Sequence, residues 1–209
     1  MTRTRIKICG ITRLCDLELA VASGADALGF VFYPPSPRYI EAQAAALLSR
    51  RVPPFVVRVG LFVNADVEFV KSVIADVPLD LLQFHGEESA DYCAQFGLPY
   101  LKAARVRPGL DLLEFAQAYP TAQGLLLDAW VEGYGGAGKS FDWKLIPSSL
   151  PLPLVLSGGL HADNVDEAVA SLRPWAVDVS SGVEQAKGIK DGSKIDAFIA
   201  AVRMADGRK

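Results

Sequence analysis

Cysteine and histidine are scarce in this chain: three and two among 209 residues. Cys9, Cys15 and Cys93 are odd in number, widely spaced and form no CxxC, and His85 and His161 are far in sequence from any cysteine pair. This argues against a disulfide scaffold and a zinc site, and fits free thiols in a reducing compartment. Basic residues are not massed either. The formal net charge is −3 and no block of Lys or Arg stands out, so no nucleic-acid partner is expected. No apolar run approaches the roughly 20 residues that cross a bilayer. The start, Met1-Thr2-Arg3-Thr4-Arg5, lacks the apolar run of a signal peptide. The expectation is a cytoplasmic protein with no membrane partner. Composition shifts, linkers and low-complexity stretches are missing too, so the expected organisation is one domain over residues 1–209.

What the chain has is rhythm. It is 51% hydrophobic, with short apolar runs followed by amphipathic helical runs. Arg5–Cys9 is strand-like; Thr12 then offers an N-cap and Gly24 ends the helix. Asp26–Phe32 precedes a helical Glu41–Arg50, and Phe55–Val63 precedes Asp66–Ala75. Leu79–Phe84 precedes Glu87–Phe96, and Pro99–Ala103 precedes Leu110–Ala118. Gly124–Asp128 precedes a glycine-rich loop. Leu152–Leu156 precedes His161–Leu172, and Ala176–Val179 precedes a closing helix near Ser193–Met204. About eight strand–helix units point to a (β/α)8 TIM barrel, with an open doubly wound sheet as the alternative. Continuous apolar strands suit a parallel sheet covered on both sides.

In such a fold the carboxyl ends of the strands carry the chemistry. They deliver Cys9, the Pro34-Pro35-Ser36-Pro37-Arg38 loop, Asn64, Gln83-Phe84-His85-Gly86, Lys102 with Arg105, Asp128, Ser157-Gly158-Gly159 and Asp178-Val179-Ser180-Ser181-Gly182. Gly158 and Gly159 let a ligand approach the backbone, and Ser181 and Gly182 add donors. The last two loops together read as a phosphate site, although either alone reads as a tight turn. Asp128, after a buried apolar strand, needs solvent, a partner or a ligand. Paired with Cys9 on the same rim, it could give a proton where the thiol takes one. An unperturbed thiol, with pKa about 8.5, is mostly neutral at pH 7, so Cys9 needs help from its surroundings. Arg38, on a proline-stiffened loop, suits a carboxylate. His85 is either a substrate contact or a hydrogen-bonded rim residue.

Gly133-Tyr134-Gly135-Gly136-Ala137-Gly138-Lys139-Ser140 satisfies the P-loop pattern. Its context argues against nucleotide hydrolysis, because Pro147 stops any following helix within about two turns. A lid over the rim is the better reading.

Together these blocks resemble the phosphoribosylanthranilate isomerase family. The matching stretches are Lys7-Ile8-Cys9-Gly10-Ile11-Thr12, Gly29-Phe30-Val31-Phe32-Tyr33, Ser36-Pro37-Arg38-Tyr39-Ile40, Gln83-Phe84-His85-Gly86-Glu87 and Leu127-Asp128. They continue through Gly135-Gly136-Ala137-Gly138, Phe141-Asp142-Trp143, Leu156-Ser157-Gly158-Gly159-Leu160 and Asp178-Val179-Ser180-Ser181-Gly182-Val183-Glu184. The resemblance implies a (β/α)8 barrel and an Amadori rearrangement of a phosphosugar substrate, without metal or organic cofactor. It places the general base on Cys9, the general acid on Asp128, the anthranilate carboxylate against Arg38 and the amine near Asp178. His85 joins the substrate contacts, and the phosphate falls on Gly158, Gly159, Ser181 and Gly182. A monomer or homodimer is expected. Ala137, where the family often has a hydroxyl residue, and Gln185-Ala186-Lys187-Gly188, which lacks a common proline, depart from the pattern. The rivals are a barrel isomerising a bis-phosphate aminoaldose, a nucleotide-binding P-loop protein and a non-catalytic phosphosugar binder.

Overall fold

The computed structural model describes residues 3–130 and 141–208. Eight strands, β1 (Arg5–Cys9), β2 (Ala27–Val31), β3 (Val57–Phe62), β4 (Leu81–Phe84), β5 (Tyr100–Val106), β6 (Gly124–Ala129), β7 (Leu154–Leu156) and β8 (Ala176–Val179), pair in sequence order, all parallel. Strand β8 pairs back onto β1, with Lys7 beside Asp178, which closes the barrel and removes the open-sheet alternative. Around it lie α1 (Leu14–Ser23), α2 (Ala42–Ser49), α3 (Val67–Asp76), α4 (Ala90–Ala94), α5 (Leu112–Gln117), α6 (Val165–Leu172) and α7 (Gly192–Gly207). A small antiparallel pair, β9 (Glu184–Ala186) and β10 (Ile189–Lys190), precedes α7. Among the described residues no helix is long and apolar enough to cross a membrane.

The strand period of two sorts side chains into two layers. Ile6, Ile8, Leu28, Phe30, Leu82 and Phe84 face outward and pack with helix residues such as Leu17, Val70 and Phe198 in the largest cluster. Each such fully buried side chain is worth about 1.5–3 kcal/mol. Alternate residues face inward. Leu101, Ala103, Leu126, Val155 and Ala176, from four strands, fill the lower interior, and Cys9, Val31, Leu61 and Val63 form a separate cluster. Below the lower layer, at the amino-terminal mouth, a cavity of about 400 Å³ is walled by Val57, Val59, Leu81, Leu101, Val155 and Trp175.

Several element boundaries differ from expectation. Thr12 does not cap α1. Arg13 is the N-cap residue, without a side-chain capping bond, and Thr12 Oγ1 donates instead to Gly188 O at 2.9 Å, tying the first loop to the β9–β10 hairpin. Gly24 ends α1 as expected, at φ 96°. The helix expected over Glu87–Phe96 shrinks to α4 because Ser89 caps it and Glu88 is drawn under the preceding loop. Helix α6 begins at Val165 rather than His161, since Asn164 Oδ1 accepts from His161 N and Asn164 Nδ2 donates to Gly159 O. Between β6 and β7 the described residues hold only one 3-10 turn, Trp143–Leu145, shortly before Pro147.

Candidate active site

The thiol of Cys9 ends β1 and is nearly enclosed, with 5% of the residue exposed. It packs with Val31, Leu61 and Val63. A Cβ on Gly29 of β2 would lie 2.8 Å from its Sγ, so this neighbour has to be small. Two residues earlier and on the same inward side is Lys7, whose Nζ donates to Asp178 Oδ1 at 2.8 Å. Burial pushes the Cys9 thiol up from its ordinary value, the Lys7 ammonium pulls it down, and Asp178 pushes it up again; the net direction is up. Lys7 itself is raised: burial disfavours its charge, but Asp178 and Cys9 outweigh burial. The sequence therefore carried a thiolate-favouring group, Lys7, that spacing alone did not single out.

Asp128 lies toward the end of β6, with its side chain one-fifth exposed. Its Oδ1 accepts from Ala129 N at 2.9 Å, and its Oδ2 lies 3.1 Å from His85 Nε2. His85 is thus held as a hydrogen-bonded rim residue on the Asp128 carboxylate. Gly158, at φ 84° after β7, abuts Asp128: a Cβ there would come within 3.0 Å of Oδ1. Its neighbour Ser157 donates to Asp178 Oδ2 at 3.4 Å. A chain of contacts therefore runs round the rim from His85 through Asp128, Gly158, Ser157 and Asp178 to Lys7 beside Cys9.

Arg38 is buried and already engaged. Its Nε and Nη2 each donate at 2.8 Å to the two carboxylate oxygens of Glu184 on β9. Its stem crosses Gly10, where a Cβ would lie 2.7 Å from Arg38 Cδ, so the side chain runs beside the Cys9 loop. Glu184 is held below the usual carboxylate range: burial works against its charge, but Arg38 and Lys190 outweigh it. Lys190 Nζ donates to Glu184 Oε1 at 3.0 Å and to Ser180 O at 3.1 Å, while Ser180 Oγ donates to Cys9 O at 3.0 Å. The carboxylate that Arg38 grips with two hydrogen bonds is thus Glu184, which leaves Nη1 and the second N–H of Nη2 for a ligand. Glu184 and Lys190 went unassigned in the sequence, because a hairpin this short and polar carries no strand signal.

The two glycine loops are in contact. A Cβ on Gly182 would run into the Leu160 carbonyl, so loop 157–161 seats directly on the 3-10 turn Ser181–Val183. Gly158 and Gly159 both have positive φ, at 84° and 63°. The backbone can thus present N–H groups to a phosphate. The helix after Gly159 starts six residues later, at α6, so the loop itself has to supply the donors there.

Of the three further strand-end residues, Lys102 is placed differently from expectation, while Asn64 and Arg105 stand where the sequence puts them. Lys102 belongs to the outward set of β5 and is buried beneath the β4 loop, donating to Gly86 O at 2.6 Å and Glu88 Oε2 at 2.8 Å. It braces the His85 loop rather than lining the barrel. Asn64 Oδ1 accepts from Glu87 N, and its own N–H donates to Glu88, so it cradles no second phosphate. Arg105 registers with Asp128 across β5 and β6. The P-loop-like stretch 133–140 and the proposed lid lie outside the described residues. Among the described residues no three His, Cys, Asp or Glu side chains could hold a metal ion.

Fold and rim define a (β/α)8-barrel enzyme. The model of the N-(5′-phosphoribosyl)anthranilate (PRA) isomerase family matches residues 6–201. An N-(5′-phosphoribosyl)anthranilate isomerase of Dechloromonas aromatica is 66% identical over 98% of each chain. A structure described as monomers of the dimeric Thermotoga maritima isomerase is 42% identical, with TM-score 0.85, covering 96% of this chain and 98% of its own. Another isomerase structure, holding reduced 1-(o-carboxyphenylamino)-1-deoxyribulose 5-phosphate, is 40% identical with TM-score 0.82, over 96% and 99%. The chain belongs to the phosphoribosylanthranilate isomerase family. Its reaction is the rearrangement of N-(5′-phosphoribosyl)anthranilate to 1-(2-carboxyphenylamino)-1-deoxyribulose 5-phosphate in tryptophan biosynthesis.

Proposed function

We propose that Asp128 is the general acid and Cys9 the general base of this rearrangement, within one catalytic domain. The observation that carries the assignment is the placement of both groups on one carboxyl-terminal rim, with the Lys7–Asp178 pair beside Cys9 and Ser157, bonded to Asp178, next to the Gly158 that abuts Asp128. Asp128 gives its proton to the ribose ring oxygen; the C1′–O bond breaks and the nitrogen lone pair forms the C1′ iminium. The Cys9 thiolate, with the Lys7 ammonium beside it, then takes the proton from C2′. The electrons of that C–H bond form the enolamine and neutralise the iminium nitrogen, and tautomerisation gives the ketone. Each proton carrier is worth about 10²–10⁴ in rate, or about 3–5 kcal/mol.

Arg38 meets the anthranilate carboxylate with the edge of its guanidinium that Glu184 leaves open, and Asp178 lies near the amine. Gly158, Gly159, Ser181 and Gly182 hold the phosphate at the other end. Fixing both ends keeps the reacting atoms in line. The protein acts in the cytoplasm on this small molecule, as a monomer or homodimer. The dimer is favoured by the fully exposed Phe55, which is followed two residues later in the chain by Val57 of the amino-terminal cavity wall, a region that two copies could share.

The Asp128→Asn variant tests the acid. It keeps the shape and loses the acidic proton, so kcat is expected to fall by at least about a hundredfold. Turnover at the wild-type rate would end the assignment.

A further inference from the structure

Gln83 sits in the middle of β4, completely buried, on the same inward side as His85. Its Nε2 is 3.0 Å from His85 Nδ1, and His85 Nε2 is 3.1 Å from Asp128 Oδ2. An amide nitrogen can only donate, so Nδ1 accepts. With the amide in this orientation the imidazole proton falls on Nε2, facing the carboxyl of Asp128. Gln83 Oε1, by contrast, is buried with no hydrogen-bond partner. Such an orphan costs about 1–3 kcal/mol and calls for a reason. Turning the amide by half a turn would give Oε1 a partner only if the ring moved its proton to Nδ1. Nε2 would then face Asp128 as a bare lone pair.

A bare Nε2 would compete with the substrate for the Asp128 proton. With Nε2–H in place, Asp128 Oδ2 only accepts, and a proton on Oδ1 has one way to go, outward to the sugar ring oxygen. After the transfer the same Nε2–H stabilises the carboxylate left behind, and no proton has to move within the ring. In this orientation the Gln83 oxygen stays unpaired. Lys102 and Glu88 hold the loop from outside, through Gly86, so that ring and carboxyl stay in register.

We propose that Gln83 is a positioning residue: its amide locks the tautomer of His85 and so directs the proton of Asp128 to the substrate. This rests on Asp128 being the acid.

The test reads the ring directly. Nitrogen-15 spectra of histidine-labelled enzyme contain two rings, and His161→Gln leaves only His85. The expected wild-type pattern is a bare Nδ1 and a protonated Nε2; a proton on Nδ1 would overturn the proposal. In Gln83→Glu the carboxylate can only accept, so Nδ1 is expected to gain a proton. Then kcat should fall at least about tenfold while KM stays within about threefold. Gln83→Met, similar in size and without a donor, is expected to lose kcat in the same way, and it keeps the test open if the Glu variant does not fold. Wild-type kcat in either folded variant, or a change confined to KM, would overturn the proposal. Full activity of Asp128→Asn would instead remove the acid assignment itself, whatever the ring spectra show.

Discussion

Lys7 Nζ and Asp178 Oδ1 meet at 2.8 Å inside the barrel, with about 5% and 6% of their side chains exposed. Each charge has opposite effects on the nearby Cys9 thiol: Lys7 draws it toward the thiolate and Asp178 away from it. Breaking one partner of such a buried pair costs about 3–5 kcal/mol, so the pair also holds β1 to β8.

The two charges give a signed prediction. The Cys9 thiol is raised by burial, and Lys7→Met removes its main downward pull. The thiolate then forms only at higher pH, so the rising limb of the kcat/KM profile moves to higher pH. Asp178→Asn removes an upward push and moves the limb the other way. A limb that stays in place in Lys7→Met would show that the lysine does not act on the thiol.

Glu184→Gln removes the ionic hold on Arg38 and leaves Lys190 without its carboxylate. KM is expected to rise at least about fivefold with a smaller change in kcat, since the loss is of binding rather than of chemistry. The same variant tests linkage. The folded-state value of Glu184 lies below its unfolded value of about 4.3, because Arg38 and Lys190 outweigh burial. Its contribution to stability is therefore present above that value and is lost as pH falls through the lower, folded one. Thermal melts of the variant should lose less stability than the wild type on going from neutral into the acid range.

Much of this site was legible in the chain. Cys9, Asp128 and Asp178 stand near the ends of apolar runs, where a parallel barrel exposes its chemistry, and all three lie on one rim. Lys7 and Gln83 also left a signal: each is a polar residue at an inward position within an apolar strand, a placement that needs a buried partner. Glu184 and Lys190 left none. Strands of three and two residues show no period, and their ion pairs join Arg38 across 146 residues and Glu184 to Lys190 within six. The capping role expected of Thr12 failed for a related reason, since its hydroxyl serves Gly188, a partner 176 residues away.

Assembly has its own test. Phe55 is held at φ 71° with its ring in solvent, two residues before Val57 of the apolar cavity wall. Phe55→Asp is expected to shift light-scattering mass at micromolar concentration from two copies to one, with kcat retained because the site lies at the opposite end of the barrel. A wild-type mass of one copy would place the protein among monomers.

The most direct measurement is single-turnover loss of phosphoribosylanthranilate fluorescence by Cys9→Ala, beside equilibrium binding of the reduced product analogue. A slowing of at least about a hundredfold with binding kept within about threefold is the predicted result. Near-normal turnover without the sulfur would contradict the account.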